Sequence, residues 1–303
     1  MNKAENDRKE LVRSLLAGSV DQHVHSGPSV IQRELDHLEE LKDASNAGVS
    51  AILLKDHYYA TGPFAILLNR HFGSLGVKVL SGIALNNTVG GFNPHAVEHE
   101  ALMGGKLVWL PTVSAENHIK NQKAQDFDHP SKQVALPEPV PVLPFNPDKT
   151  IKDEVKQVLD IIAKHDMVLA GGHLHVSEIW TVFEEAKRRG IKRFLINHPE
   201  SHIQASMNDV GGFVAFGAYI EHSMVRFLPG SKYFKYTTEQ FKNHIAVGTV
   251  EKTILASDLG VKGAMMPVEG MRQTIELCLD LGYSGDEVRT MISENPSQLL
   301  GLN

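Results

Sequence analysis

Two histidines one residue apart, His23 and His25, close a short apolar run, Ser19-Val20-Asp21-Gln22-His23-Val24-His25. Residues i and i+2 of a β-strand share a face and lie about 7 Å apart. Two imidazoles at that spacing can hold one metal ion while Val24 faces the other way. Alone, such a pair is a weak signal. Three other apolar runs end in matching chemistry: His173 in Ala170-Gly171-Gly172-His173-Leu174-His175, His198 in Leu195-Ile196-Asn197-His198-Pro199, and Asp258 in Leu255-Ala256-Ser257-Asp258. If these runs are parallel strands of one closed sheet, all five side chains reach the same rim. Four imidazoles and one carboxylate suit a borderline divalent cation, zinc first and manganese or iron as alternatives, with one or two ions bound.

Other residues stand near the same rim. Lys55 and His57 follow the second apolar run at the i, i+2 spacing. Lys55 could be carboxylated, bind a substrate anion, or simply pair with Asp56. His118 follows the fourth run, in Thr112-Val113-Ser114-Ala115-Glu116-Asn117-His118. His175 shares the parity of His173 but lies past two glycines, so it is either a ligand or the start of a helix. Glu221, His222 and Arg226 follow the seventh run, where a carboxylate or phosphate could be held. Arg226 is the better anion binder, because its planar fork matches such an oxyanion. His95, His99 and His129 are expected at the surface.

The elements that must position these groups alternate along the chain. Apolar runs start near Ser19, Ser50, Val77, Lys106, Met167, Arg193, Phe213 and Thr253, and segments of helical period separate them. Strands buried on both faces and alternating with helices imply a parallel sheet covered by helices. Eight such units predict an α/β fold, a (β/α)8 TIM barrel, as a single domain over 1–303 with a short N-terminal helix. The run at 213–216 is read as the seventh strand, and the segment after Gly285 as a closing helix. No Gly-x-Gly-x-x-Gly turn follows the first strand, which argues against a dinucleotide-binding fold. Residues 115–149 break the rhythm with six prolines and no evident period. Such an insertion after strand four would lie on the active-site face, as a lid or a subunit contact.

Composition narrows the class. Sixteen histidines accompany one cysteine, Cys278, which cannot form an internal disulfide and suits a reducing compartment. The formal charge of −6 disfavours nucleic acid or an anionic membrane as partner. The opening MNKAENDRKELVRSLLAG is too charged for a secretory signal, and no run of 18 apolar residues occurs. These features predict a cytoplasmic protein acting on a small molecule, either monomeric or a homo-oligomer.

His23, His25, His173, His198 and Asp258 stand in the order and spacing found in the amidohydrolase superfamily of metal-dependent barrels, which the chain resembles over nearly its whole length outside the insertion. The C-terminal Glu294-Asn295-Pro296-Ser297-Gln298-Leu299-Leu300-Gly301-Leu302 is similar to that family's closing helix. The resemblance implies a hydrolase in which a metal-activated water attacks an amide, ester or lactone. Asp258 would move the proton, and His198 would either bind a second ion or polarise the carbonyl. Binuclear members carry a bridging lysine or glutamate near the end of strand four or five. Here strand four ends Trp109-Leu110-Pro111-Thr112, with no acid before Glu116. That departure leaves open a mononuclear, non-oxidative decarboxylase. A phosphoesterase and a non-catalytic metal-binding barrel are the further alternatives.

Overall fold

The computed structural model describes residues 3–124 and 136–302. Among the described residues nine parallel segments make up the sheet: β1 (Val20–Val24), β2 (Ala51–Leu54), β3 (Lys78–Leu80), β4 (Gly82–Ala84), β5 (Leu107–Trp109), β6 (Val168–Ala170), β7 (Phe194–Asn197), β8 (Tyr219–Ser223) and β9 (Thr253–Ala256). They pair in chain order, β1-β2-β3 and β4-β5-β6-β7-β8-β9. β3 and β4 are the two halves of the third barrel strand, interrupted at Ser81. At the break, Thr61 Oγ1 accepts from Gly82 N at 3.1 Å and donates to Leu54 O at 2.9 Å, tying β2 to β4. The ring closes where Asp258 N donates to His23 O at 3.0 Å and His25 N donates to Leu259 O at 2.9 Å. The architecture is thus the eight-stranded α/β barrel that the alternation predicts.

Alternation of side chains sorts the core into an inside and an outside. Val20, Leu53, Leu107, Trp109, Leu195 and Ile254 fill the barrel interior, and Leu299 and Leu300 of the C-terminal helix Asn295–Leu300 join them. The opposite parity packs outward in two clusters. One lies under the helices Pro94–Leu102, Asp153–Lys164, Val176–Arg188 and Met207–Phe216. The other lies under His37–Ala47, Gly62–Phe72, Thr238–Gly248 and Pro267–Asp280. The predicted N-terminal helix is Lys3–Leu16, which buries Val12, Leu15 and Leu16 in the second cluster. The C-terminus also caps the strands: Asn295 Nδ2 donates to Val250 O at 2.8 Å and to Thr253 O at 2.6 Å. No described helix is long and apolar enough to cross a membrane.

Two expectations are corrected. Residues 213–216 are not a strand; they end the helix Met207–Phe216, and the seventh barrel strand is β8. Gly211 and Gly212 disguise the helix in the sequence, but a glycine is what lets it approach Trp180, whose ring would lie 3.0 Å from a Cβ at 212. Ser206 and Asp209 form its capping box, and Phe213 stacks on Trp180 with centroids 3.9 Å apart. The insertion, for its part, is not wholly irregular. It opens with the helix Glu116–Ala124, a polar helix whose period is hard to see in sequence. Residues 125–135, with His129 and part of the expected lid, lie outside the described residues. Beyond them the chain is fastened back on the barrel, as Val142 N donates to Ser114 O at 2.9 Å and Asn87 Nδ2 donates to Val140 O at 2.9 Å.

The end of β6 shows how tightly the rim is built. Gly172 has φ +63°, and a Cβ there would sit 2.2 Å from Leu110 O, whereas Gly190 has φ +93° with nothing within 4 Å of its Cβ position. Gly190→Ala should therefore cost only the left-handed penalty, about 1 kcal/mol. Gly172→Ala should cost about 2–4 kcal/mol, because backbone must shift as well. Thermal denaturation of the two variants checks this; equal losses would mean that the contact with Leu110 does not constrain the rim.

Candidate functional site

Four strand ends deliver the site, and in each of them the backbone departs from regular geometry to do so. In β1 the register against β2 shifts between Asp21 and Val24. Val20 points into the barrel, so unbroken alternation would send Gln22 and Val24 inward too. Instead Val24 packs outward and His23 and His25 turn in, the re-aiming that a bulge achieves. After β6, the left-handed Gly172 turns the chain before His173. After β7, where Leu195 and Asn197 have inward parity, His198 itself adopts φ +56°. Asp258 follows β9 in inward parity, with φ +53°. Left-handed conformations at two non-glycine residues are strained and are held by what surrounds them.

His23 Nε2 and His25 Nε2 both lie 3.0 Å from Asp258 Oδ1. Ligand atoms tetrahedrally bound at 2.0–2.2 Å from one ion are separated by about 3.3 Å, so the three fit a common cation. The other nitrogens are spoken for. His25 Nδ1 donates to Lys55 O at 3.1 Å, and His23 Nδ1 lies 2.7 Å from Glu221 Oε1, whose partner oxygen accepts from Gln22 Nε2 at 2.6 Å. A carboxylate or carbonyl behind each imidazole fixes its tautomer and orientation, as is usual for metal-ligating histidines. Burial disfavours a charge on His23, but Asp258 and Glu221 outweigh it, against opposition from Lys55, and raise its pKa to about 9. Burial pushes His25 down to about 3. Partial burial alone would raise Asp258, but His23 and the bonds from His23 and His25 hold it well below the usual carboxylate range.

Lys55 lies beneath this group. Its Nζ is 2.9 Å from His23 Nε2 and 5.0 Å from the centre of the Trp109 ring, and burial lowers its pKa to about 8. Of the alternatives open for Lys55, pairing with Asp56 is not the one formed, since Asp56 accepts from Arg33 Nη2 at 3.2 Å and Tyr58 N at 2.8 Å. His57 reaches the cleft, with Nδ1 2.9 Å from Thr112 Oγ1. His198 sits between the strand ends, Nδ1 2.7 Å from Ser223 Oγ and 3.8 Å from Asp258 Oδ2.

A second group of imidazoles lies across the cleft. His173, His118 and His202 bring ring nitrogens within 4.8 Å of one another. His118 rides on the helix Glu116–Ala124 of the insertion, which brings it to the rim. His202 was missed by the sequence reading. Its signal is the four-residue spacing in His198-Pro199-Glu200-Ser201-His202, masked because no helical pattern follows Pro199. His175 does not join the cleft lining. It caps the helix Val176–Arg188, with Nδ1 accepting from Ser177 N at 3.2 Å.

Arg226 lines the cleft, and its Nη2 donates to His202 Nε2 at 3.3 Å. Glu221 and His222, expected beside it as anion holders, belong to β8 itself. Glu221 is inside the barrel behind His23, and His222 packs outward against Phe241 and His244. His95 and His99 are exposed, as expected. Ile31, Val225, Tyr233 and Val261 supply apolar wall to the cleft.

The same fold occurs in solved structures. An amidohydrolase from Pseudomonas aeruginosa matches with TM-score 0.64 and 11% identity, over 96% of this chain and 97% of that one. A lactonase from Listeria monocytogenes matches with TM-score 0.57 and 10% identity, over 94% and 95%. A phosphotriesterase homology protein from Escherichia coli, complexed with phosphate, matches with TM-score 0.56 and 13% identity, over 93% and 98%. At these identities the likeness is one of fold: the barrel is the one these three proteins share. Among curated proteins none matches the sequence. One family model does, and its span runs from Gly18, two residues before β1, to Glu221, taking in both histidine groups and Lys55 but stopping short of Arg226 and Asp258. The chain belongs to that family, the family of unknown function DUF6282, which it matches over residues 18–221.

Proposed function

We propose that the protein is a metal-dependent hydrolase that cleaves an amide, ester or lactone bond of a small molecule. The observation that carries the reading is the convergence of His23 Nε2, His25 Nε2 and Asp258 Oδ1 at 3.0 Å in the mouth of a barrel of this fold. Zinc suits two imidazoles and a carboxylate best. A divalent ion bound there supplies Lewis acidity and makes a water nucleophilic near neutral pH.

The remaining chemistry falls to the chain. Asp258 directs Oδ1 at the two histidines and leaves Oδ2 toward His198, so Oδ2 is the acceptor for the proton of the attacking water. That proton then passes to the leaving group. His198 is kept neutral by burial, against the pull of Asp258 and helped by the nearby Lys55 charge. With Ser223 Oγ donating to Nδ1, its Nε2–H is free to bond the carbonyl oxygen as charge builds there. Arg226, in the wall beside apolar side chains, would hold a carboxylate of the substrate and fix its orientation. Glu221 keeps the His23 ring in place through Nδ1.

Chelator-treated protein should lose hydrolysis of a panel of lactones, esters and amides and regain it with added zinc or manganese. Background rates throughout the panel with metal restored would overturn the reading, and carbon dioxide release from aromatic acids would move it to a decarboxylase. Asp258→Asn should keep much of the metal, through the amide oxygen, and lose about 10²–10⁴-fold or more in turnover. If each folded molecule of that variant turned over normally, Asp258 would not be the base.

The pH dependence of metal uptake has a definite sign. In the metal-free chain His23 holds its proton up to about pH 9 rather than 6.5, and a cation must displace it. Affinity should rise roughly tenfold per pH unit between about 6.5 and 9 and flatten above, with about one proton released per ion at neutral pH. The metal-free fold should lose the His23 contribution to stability as pH rises through about 9. Calorimetric titrations in buffers of different ionisation enthalpy measure the proton count; zero release would show that His23 is neutral before the ion arrives.

A further inference from the structure

We infer that His118, His173 and His202 form a second cation site, weaker than the first and selective for a borderline divalent ion such as zinc, cobalt or nickel. The inference stands apart from the hydrolase reading, since it requires only that the three imidazoles share an ion.

The geometry of the pair His118–His173 carries most of the argument. Their Nδ1 atoms are 2.9 Å apart, while the ring centroids are 4.8 Å apart and the planes differ by 24°. Stacked atoms approach no closer than about 3.5 Å, so these rings meet nitrogen edge to nitrogen edge. Two such edges can share either one proton or one cation. The third ring decides between them. His202 lies 4.4 Å from His173 and 5.6 Å from His118 by centroids, and one nitrogen of each ring falls within a 4.8 Å span. A proton can join two of these rings, whereas an ion can join all three once His202, which now stacks on His173 with planes 15° apart, turns a nitrogen edge toward it.

Burial gives a second, independent observation. His173 is 3% exposed, and its Nε2 has no hydrogen-bond partner among the described residues. A buried polar nitrogen in that state is costly unless something completes its surroundings. The set is all nitrogen and carries no carboxylate, which disfavours magnesium or calcium.

Charge sets the order of filling. Asp258 and Glu221 surround the first triad, whereas the second faces Arg226, 3.3 Å from His202 Nε2, and feels Lys55. A cation is therefore held less tightly at the second site. The ligand set also departs from the superfamily pattern noted in the sequence. It takes His118 from the insertion and His202 from the turn after β7, and leaves His198 bonded to Ser223 between the two sites.

Titration of chelator-stripped protein with cobalt(II), followed by its visible absorption and by competition with a chromophoric chelator, tests this. Two equivalents should bind, the second at least tenfold more weakly. His118→Gln and His202→Gln should each abolish the second equivalent and keep the first, and His25→Gln should weaken the first and keep the second. One equivalent in the unaltered protein would overturn the second site whatever the variants do. So would a second equivalent surviving in both His118→Gln and His202→Gln, provided that circular dichroism shows folded barrels. Either result would leave the three rings as a hydrogen-bonded chain and the first site untouched. Loss of the first equivalent alone would instead count against the hydrolase reading.

Discussion

A line of buried polar contacts, Glu221 to His23 to Asp258, is the interaction on which the barrel mouth depends. Each of these side chains would be costly alone in so dry a place. Together they neutralise one another: a proton on His23 is stabilised by a carboxylate on either side, and each carboxylate is stabilised by that proton. The arrangement is poised for exchange, because a cation entering beside Asp258 can take over the role of the His23 proton. Lys55 competes for the same space, 2.9 Å from His23 Nε2, and burial has already weakened its hold on its own charge.

Holding that line in place requires strain at the strand ends. A regular β1 would send His23 and His25 outward among the helices, and the register shift turns them in. His198 and Asp258 each accept a left-handed backbone, a cost of about 1–3 kcal/mol apiece that the rest of the fold must absorb. The support is visible at the opposite end of the barrel. Leu299 and Leu300 plug the interior, Asn295 ties off β9, and Arg193 Nη1 donates to Gln298 O at 2.7 Å and Leu299 O at 2.9 Å. Packing at the base lets the rim carry unusual geometry. This division of labour between two ends is a general property of α/β barrels.

The insertion after β5 takes part in the site through its first turn and a half. The helix Glu116–Ala124 is mostly polar, and what fixes it is the barrel rather than its own propensity. Ile119 and His118 are buried, and Asn117 Nδ2 donates to His173 O at 3.1 Å and His202 O at 2.6 Å. Asn117 therefore links the backbones of the same two histidines whose rings meet His118. An insertion that could have been a surface excursion contributes a side chain to the cleft.

Much of this was legible in the sequence. Apolar runs alternating with helical periods predict the barrel, because parallel strands buried on both faces have no other pattern available to them. His23, His25, His173, His198 and Asp258 stand out because each ends such a run, and strand ends of a parallel barrel share one rim. Three things were decided only in three dimensions. The helix Met207–Phe216 looked like a strand because its glycines hide its period, and contact with Trp180 overrides that local signal. His202 was invisible because it belongs to an irregular turn, where no periodicity reports which way a side chain points. Lys55 found His23 rather than Asp56, since Arg33 lies nearer the carboxylate than adjacency in sequence could reveal. Sequence determines which residues end the strands, through burial and period. The backbone turns at those ends decide which side chains meet, and these depend on a bulge, a left-handed glycine and two strained residues that only the closed barrel can hold.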